Sequence, residues 1–169
     1  MKTKQLTFIA VLITFALILS YIETFIPVIA IPGAKLGLAN VATLMALYLF
    51  DFKSAFFVVF LRTSLAAFMF TNLTTLIYSL SGGLVSLLVM YLLLRIWKNH
   101  FSIIGISIAG AVFHNLAQVA VAVFVLGTTG VLSLIPYLIA IAILTGTAIG
   151  ISAKYLLKYT ARLHLNSTK

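Results

Sequence analysis

The residues most able to do chemistry include three polar side chains in the run GAVFHNLAQVAVAV, namely His114, Asn115 and Gln118. His114 and Gln118 are four residues apart and would share one face of a helix, with Asn115 one step round. In an apolar helix such groups either tie neighbouring helices together or line a polar cavity. No metal site is expected, because the other histidines, His100 and His164, lie at predicted helix ends.

A second candidate is Arg62, which falls near the middle of a long apolar run. The chain has only two acidic residues, Glu23 and Asp51. Asp51 is expected at the opposite end of its hairpin, so Glu23 is the predicted partner. Arg62 therefore either pairs with Glu23, binds an anionic or polar ligand, or does both.

The stretch IPGAKLGLANVATLMALYLF adds Lys35 and Asn40. Pro32 and Gly33 can start a helix with Lys35 on its first turn, and the free N–H groups and positive dipole end there favour an anion. The apolar loop from Phe25 to Ala34 would fold over that site as a lid. Alternatively, Lys35 extends to the outer interface and Asn40 bonds a neighbouring helix. The spacing of a phosphate-binding P-loop is absent.

The elements that position these residues must lie in lipid. The chain has 169 residues, of which 63% are hydrophobic and 8% charged, whereas about a quarter of a soluble domain is charged. We predict an all-α integral membrane protein, multi-pass in the cell membrane, with residues 1–169 as one domain. The N-terminal run could pass for a signal peptide, but it continues beyond Ser20 and is interpreted as a retained first span.

Six spans fit the apolar runs, since a helix needs roughly 20 residues to cross. They are about Leu6 to Ile26, Leu36 to Phe50, Ser54 to Phe70, Leu73 to Ile96, Ile103 to Leu126 and Val131 to Leu157.

The basic residues orient these spans. With both termini cytoplasmic, only Lys35 lies outside, and Arg62 lies within a span. The cytoplasmic segments hold Lys2, Lys4, Lys53, Arg95, Lys98, Lys154, Lys158, Arg162 and Lys169. Because the net charge of +9 flanks apolar runs, nucleic-acid binding is not expected. The absence of cysteine excludes disulfides and thiolate chemistry.

Small residues four apart allow helices to approach closely. The pairs are Ala16 and Ser20, Gly33 and Gly37, and Gly146 and Gly150. Internal packing and docking onto another membrane subunit are both open uses.

PGAKLGLANVATLMALYLF and GAVFHNLAQVAVA resemble the membrane family called heptaprenyl diphosphate synthase component I, or the Gx transporter family. That family is in turn similar to the substrate-binding S components of energy-coupling factor (ECF) transporters. The resemblance implies a six-helix bundle with a lid after helix 1 and a cavity open to the outside. It also implies docking of the shared ECF transmembrane subunit through small residues of helix 1, either Ala16 and Ser20 or Ala10 and Thr14, with ATPase subunits as further partners.

The residues do not support prenyltransferase chemistry, because magnesium needs several carboxylate or phosphate oxygens and the two acids are expected on opposite sides. No enzyme activity and no cofactor are therefore expected. The first hypothesis is a transport subunit that binds a small anionic molecule through Lys35 and Arg62. The second is an accessory of isoprenoid or quinone metabolism that holds a prenyl diphosphate, and the third is a scaffold without a ligand.

Overall fold

The computed structural model describes residues 3–26, 34–96 and 100–166, with side chains as far as Thr160. No strand occurs among these residues, and the all-α architecture is as predicted. The helices are α1 (Thr3–Glu23), α2 (Asn40–Leu49), α3 (Phe52–Met69), α4 (Leu73–Ile96), α5 (Ile103–Leu126) and α6 (Ile135–Asn166), with a 3-10 helix, Thr129–Leu134, leading into α6.

Five of these helical segments are long and apolar enough to cross a membrane, and α2 is not. Its 10 residues rise only about 15 Å, half of the roughly 30 Å of a hydrocarbon core. The multi-pass membrane architecture is thus supported. A sixth crossing and the cytoplasmic position of both termini stay predictions.

Local signals explain where the helices begin and end. Gly37 has φ 83°, a left-handed conformation that interrupts a helix, so α2 begins at Asn40 and the predicted start at Leu36 is wrong. Asp51 precedes α3 and accepts a hydrogen bond from the Ser54 N–H at 2.7 Å, as an N-cap does. At the other side of the bundle, α5 ends at Gly127, which has φ 63°.

The short helix α2 lies at the centre of the fold. All residues from Asn40 to Leu47 are buried, and α2 contacts α1, α3, α4 and α6. A helix that is apolar all round and contacts neighbours on every side belongs to a core. Polar and charged side chains from several elements lie at both ends of α2.

The exterior of the bundle is apolar. Large side chains such as Phe68 and Phe124 are 81% and 90% exposed. Water would penalise such a surface, whereas lipid would not. This surface agrees with the hydropathy of the helices.

Two of the predicted small-residue pairs are used inside the fold. A Cβ added at Gly146 or Gly150 would lie 2.7 Å from the Cα of Ile108 or Ile104. The glycines therefore let α6 pack directly on α5, and internal packing is confirmed for this pair.

Ala16 and Ser20 are also interior residues, with 0% and 2% exposure. Their side chains face the core in this structure, so docking of a partner on them stays a prediction that would require α1 to expose that face. Ala10 and Thr14 are exposed, so docking there stays a prediction.

Candidate functional site

Six predicted site residues meet at the N-terminal end of α2, and we call them the central polar cluster. They come from the end of α1, the segment before α2, and α2, α3 and α5. The members are Glu23, Lys35, Asn40, Arg62, His114 and Gln118. All except the half-buried Lys35 are at most 5% exposed.

His114 and Gln118 share a helix face, as their spacing predicted. The Gln118 side-chain carbonyl accepts a hydrogen bond from the backbone N–H of Lys35 at 3.3 Å. Its amide nitrogen therefore faces His114 and lies 2.9 Å from Nε2 of the imidazole. Gln118 thus links the His114 ring to the segment before α2.

Asn40 links the histidine to the arginine. Its amide nitrogen lies 3.2 Å from Nδ1 of His114 and 3.5 Å from the hydroxyl of Ser86 on α4. Its carbonyl oxygen accepts a hydrogen bond from Arg62 at 3.0 Å. One asparagine thus joins α2 to α3, α4 and α5.

Glu23 and Lys35 connect α1 to the segment before α2, one side chain from each of the two elements. The Glu23 carboxylate accepts a hydrogen bond from the backbone N–H of Leu38, and the backbone of Gly37 hydrogen-bonds the same carboxylate. The Lys35 ammonium donates to the carbonyl of Ser20, in the last turn of α1, at 3.1 Å. An anion near a helix start and a cation near a helix end are both electrostatically favourable.

The predicted direct pair of Arg62 and Glu23 is replaced by these contacts. The two groups interact electrostatically, but the guanidinium bonds Asn40 and the carboxylate bonds backbone. Glu23 Oε2 and Arg62 Nε are buried and have no hydrogen-bond partner. Two charged groups therefore keep unused bonding capacity in the same buried cluster.

Glycines make room for the His114 ring. A Cβ at Gly82 would lie 2.8 Å from ring atoms of His114, and a Cβ at Gly37 would lie 3.2 Å from the ring. Side chains at these positions would force the imidazole to move. Both glycines therefore position His114.

Three other expectations had different outcomes. Asn115 donates to the carbonyl of Leu138 on α6 at 3.0 Å, so it ties two helices together and is not hydrogen-bonded to the cluster. Lys35 lies before α2 and not on its first turn, because the helix begins at Asn40. Most of the proposed lid, including Pro32 and Gly33, falls in residues 27–33, which lie outside the described residues.

Sequence reasoning missed Ser86, Gly37, Gly82 and the backbone of Leu38 as parts of this site. The doubled glycine in LSGGLVS was a usable signal, since a glycine pair inside an apolar helix often marks close packing. Which side chain the glycines accommodate could not be read from the sequence.

A separate pocket of about 960 Å³ lies at the C-terminal end of α2, where α3 begins and α4 ends. Lys53, Arg95 and Asp51 are exposed around it, and Leu47 and Leu94 contribute apolar lining. Hydrogen bonds from the side chain and then the backbone of Ser54 lower the pKa of Asp51. We call this the α2–α3 pocket.

One comparison with known proteins gives a match. A family model described as heptaprenyl diphosphate synthase component I matches residues 12–156, which is most of the chain. No curated protein and no solved structure matches significantly, so the likeness to ECF S components is not confirmed.

Proposed function

Since the chain belongs to the heptaprenyl diphosphate synthase component I family, we propose that it is a non-catalytic membrane subunit that binds a small anionic molecule at the central polar cluster. The ligand would enter from the side on which Glu23 and Lys35 lie, which the positive-inside pattern predicts to be the outer side. The cell membrane is the proposed location.

The observation that carries this proposal is an anion already held in the cluster. Backbone N–H groups of Gly37 and Leu38, immediately before α2, bond the chain's own Glu23 carboxylate. The same donors suit a carboxylate or phosphate of a ligand. In the proposed mechanism the ligand's anionic group displaces Glu23 from Leu38.

Charge favours the exchange. Lys35 and Arg62 are two cations facing one carboxylate, and Glu23 interacts electrostatically with both. Buried charges are stable when they are paired, so a second anion would complete the balance. Arg62 Nε, which is buried without a partner, would donate to it.

Orientation of the ligand falls to the neutral members of the cluster. Asn40 holds the Arg62 guanidinium, and Gln118 holds His114. These side chains are fixed before a ligand arrives, and such preorganisation lowers the cost of binding. Asn115 is not assigned a part in this mechanism.

The placement of the two acids supports a role other than catalysis. Glu23 bonds the start of α2, and Asp51 follows its end. The helix between them is about 15 Å long, so they cannot share one magnesium ion, whose ligands lie at about 2.0–2.1 Å. Energy for uptake would come from partner subunits, with ECF transmembrane and ATPase subunits as the proposed type. The exposed Ala10 and Thr14 would be their docking residues.

The family match favours a second candidate function. As an accessory of a prenyl diphosphate synthase, the protein would hold the diphosphate of a prenyl chain with the same cations and leave the reaction to a partner. The first experiment separates the two. Native mass spectrometry of the protein in mild detergent would identify a co-purified small molecule or a prenyl diphosphate by mass.

Binding at the cluster is tested by thermal unfolding with inorganic pyrophosphate and with succinate. A bound anion raises the melting temperature. We expect a shift with at least one probe in the wild type, a larger shift in Glu23→Gln, and none in Arg62→Lys, which keeps the charge but loses Nε.

Arg95→Lys is the matched control, because it makes the same change at an exposed arginine of the other pocket. A shift that Arg95→Lys abolishes and Arg62→Lys retains would place the anion elsewhere. No shift with either probe, and no co-purified mass, would favour the scaffold hypothesis.

A further inference from the structure

The α2–α3 pocket has no part in the function proposed above. We propose that it binds the phosphate headgroup of an anionic phospholipid from the surrounding bilayer. This inference rests on the other end of α2 and stands whether or not an anion binds the central polar cluster.

Two cations lie at the pocket, and one of them is held in place. The Arg95 guanidinium donates a hydrogen bond to the hydroxyl of Tyr91 and lies 5.8 Å from the centre of its ring. The Tyr91 ring in turn packs against Phe52, at 4.9 Å between ring centres. A guanidinium fixed in this way is preorganised for phosphate, which it binds through paired N–H groups.

Lys53 supplies the second cation from the first turn of α3. The N-terminal turn of a helix carries a partial positive charge as well. Asp51 is the one carboxylate at the pocket, and its Oδ1 is engaged by the Ser54 N–H at 2.7 Å. The pocket therefore has two cations and a helix N-terminus against one carboxylate, which is already hydrogen-bonded. The balance attracts an anion.

The remaining lining favours a lipid over a free phosphate. Leu47 and Leu94 give the pocket an apolar part beside its cations, and the volume of about 960 Å³ lies within the roughly 300–1,000 Å³ of ligand sites. Exposed Phe56 and Leu92 continue the apolar surface along α3 and α4. A phospholipid matches both parts, because its headgroup is anionic and its chains extend into the hydrocarbon layer.

The test measures binding of phosphatidic acid to the purified full chain by native mass spectrometry, with phosphatidylcholine of the same chain length as the reference. In the double variant Lys53→Gln/Arg95→Gln we expect the affinity for phosphatidic acid to fall roughly tenfold. Lys154→Gln/Lys158→Gln is the matched control, since it removes two exposed lysines outside the pocket. There the change should stay within about twofold.

Tyr91→Phe tests whether binding depends on the position of the Arg95 guanidinium or only on the positive charge of the surface. It removes the hydroxyl that holds Arg95 and leaves both cations, and we expect a partial loss of affinity. The proposal is overturned if both double variants lose affinity equally, if phosphatidic acid binds no better than phosphatidylcholine, or if Tyr91→Phe changes nothing. Pyrophosphate that competes as well as the lipid would assign the site to a soluble phosphate compound and overturn the lipid source.

Discussion

The two ends of α2 use charge in opposite ways. At the N-terminal end, Glu23 and Arg62 are buried and bonded to backbone or to Asn40. At the C-terminal end, Lys53 and Arg95 are exposed beside an open pocket. One short helix thus separates a closed polar cluster from an accessible basic one.

The difference in burial between the two ends determines what kind of ligand each end can bind. A buried cluster is selective, because a ligand must replace existing contacts such as the one between Glu23 and Leu38. An exposed basic pocket is less selective and responds to the charge of the membrane surface. The same residue types, Lys and Arg, therefore imply different functions at the two ends.

The largest expected effect concerns the sides of the membrane on which the two ends lie. The chain has no cysteine, so Thr24→Cys and Lys53→Cys each introduce a single thiol, and both positions are exposed. We expect an impermeant maleimide to label Thr24→Cys in intact cells and Lys53→Cys only after permeabilisation. Labelling of both from the same side would show that the two ends of α2 do not face opposite sides of the membrane.

Arg62→Ala should cause a large loss of stability. It removes the hydrogen bond to Asn40 and takes a cation from the neighbourhood of the buried Glu23, which costs about 3 kcal/mol. Thermal or denaturant unfolding in detergent measures this. Arg95→Ala, at the exposed end, should cost less than about 0.5 kcal/mol. Equal losses would mean that the two ends do not differ in how they use charge.

Gly82→Ala should have an intermediate effect, because the new Cβ would lie 2.8 Å from the His114 ring. Overpacking of this kind costs about 1–3 kcal/mol in unfolding free energy. Gly105→Ala is the control, since its Cβ would meet its nearest atoms at an ordinary 3.6 Å. A neutral Gly82→Ala would show that the cluster is looser than the contacts suggest.

Asp51→Ala should have a smaller effect than Arg62→Ala or Gly82→Ala, about 1 kcal/mol at neutral pH from the lost N-cap. The hydrogen bonds from Ser54 lower the pKa of Asp51, so its stabilisation is present above the unfolded-state pKa of about 3.9. It is lost as the pH falls through the lower folded-state pKa. The wild type and Asp51→Ala should therefore converge in melting temperature on acidification, whereas Asp51→Asn should keep much of the cap.

Much of the fold could be predicted from apolar runs and capping residues. The bounds of α4 and α5 agree with the predicted spans, because both runs are long and the second has clear ends at Ser102 and Gly127. The prediction was wrong for α2, where the positive φ of Gly37 delays the helix. A glycine near a helix start can be either helical or left-handed, and local sequence does not decide between them.

The candidate site was predicted as a set of residues but not as a set of contacts. The sequence by itself determined that Glu23, Lys35, Arg62 and His114 need polar partners or a polar environment, because the hydrocarbon core of a bilayer offers neither. Only the tertiary structure decided that Glu23 bonds the start of α2, that Asn40 receives Arg62, and that Asn115 turns to α6. Periodicity fixes the face of a helix on which a residue lies. The partner on that face depends on how the helices pack, since the residues that meet there are far apart in the chain.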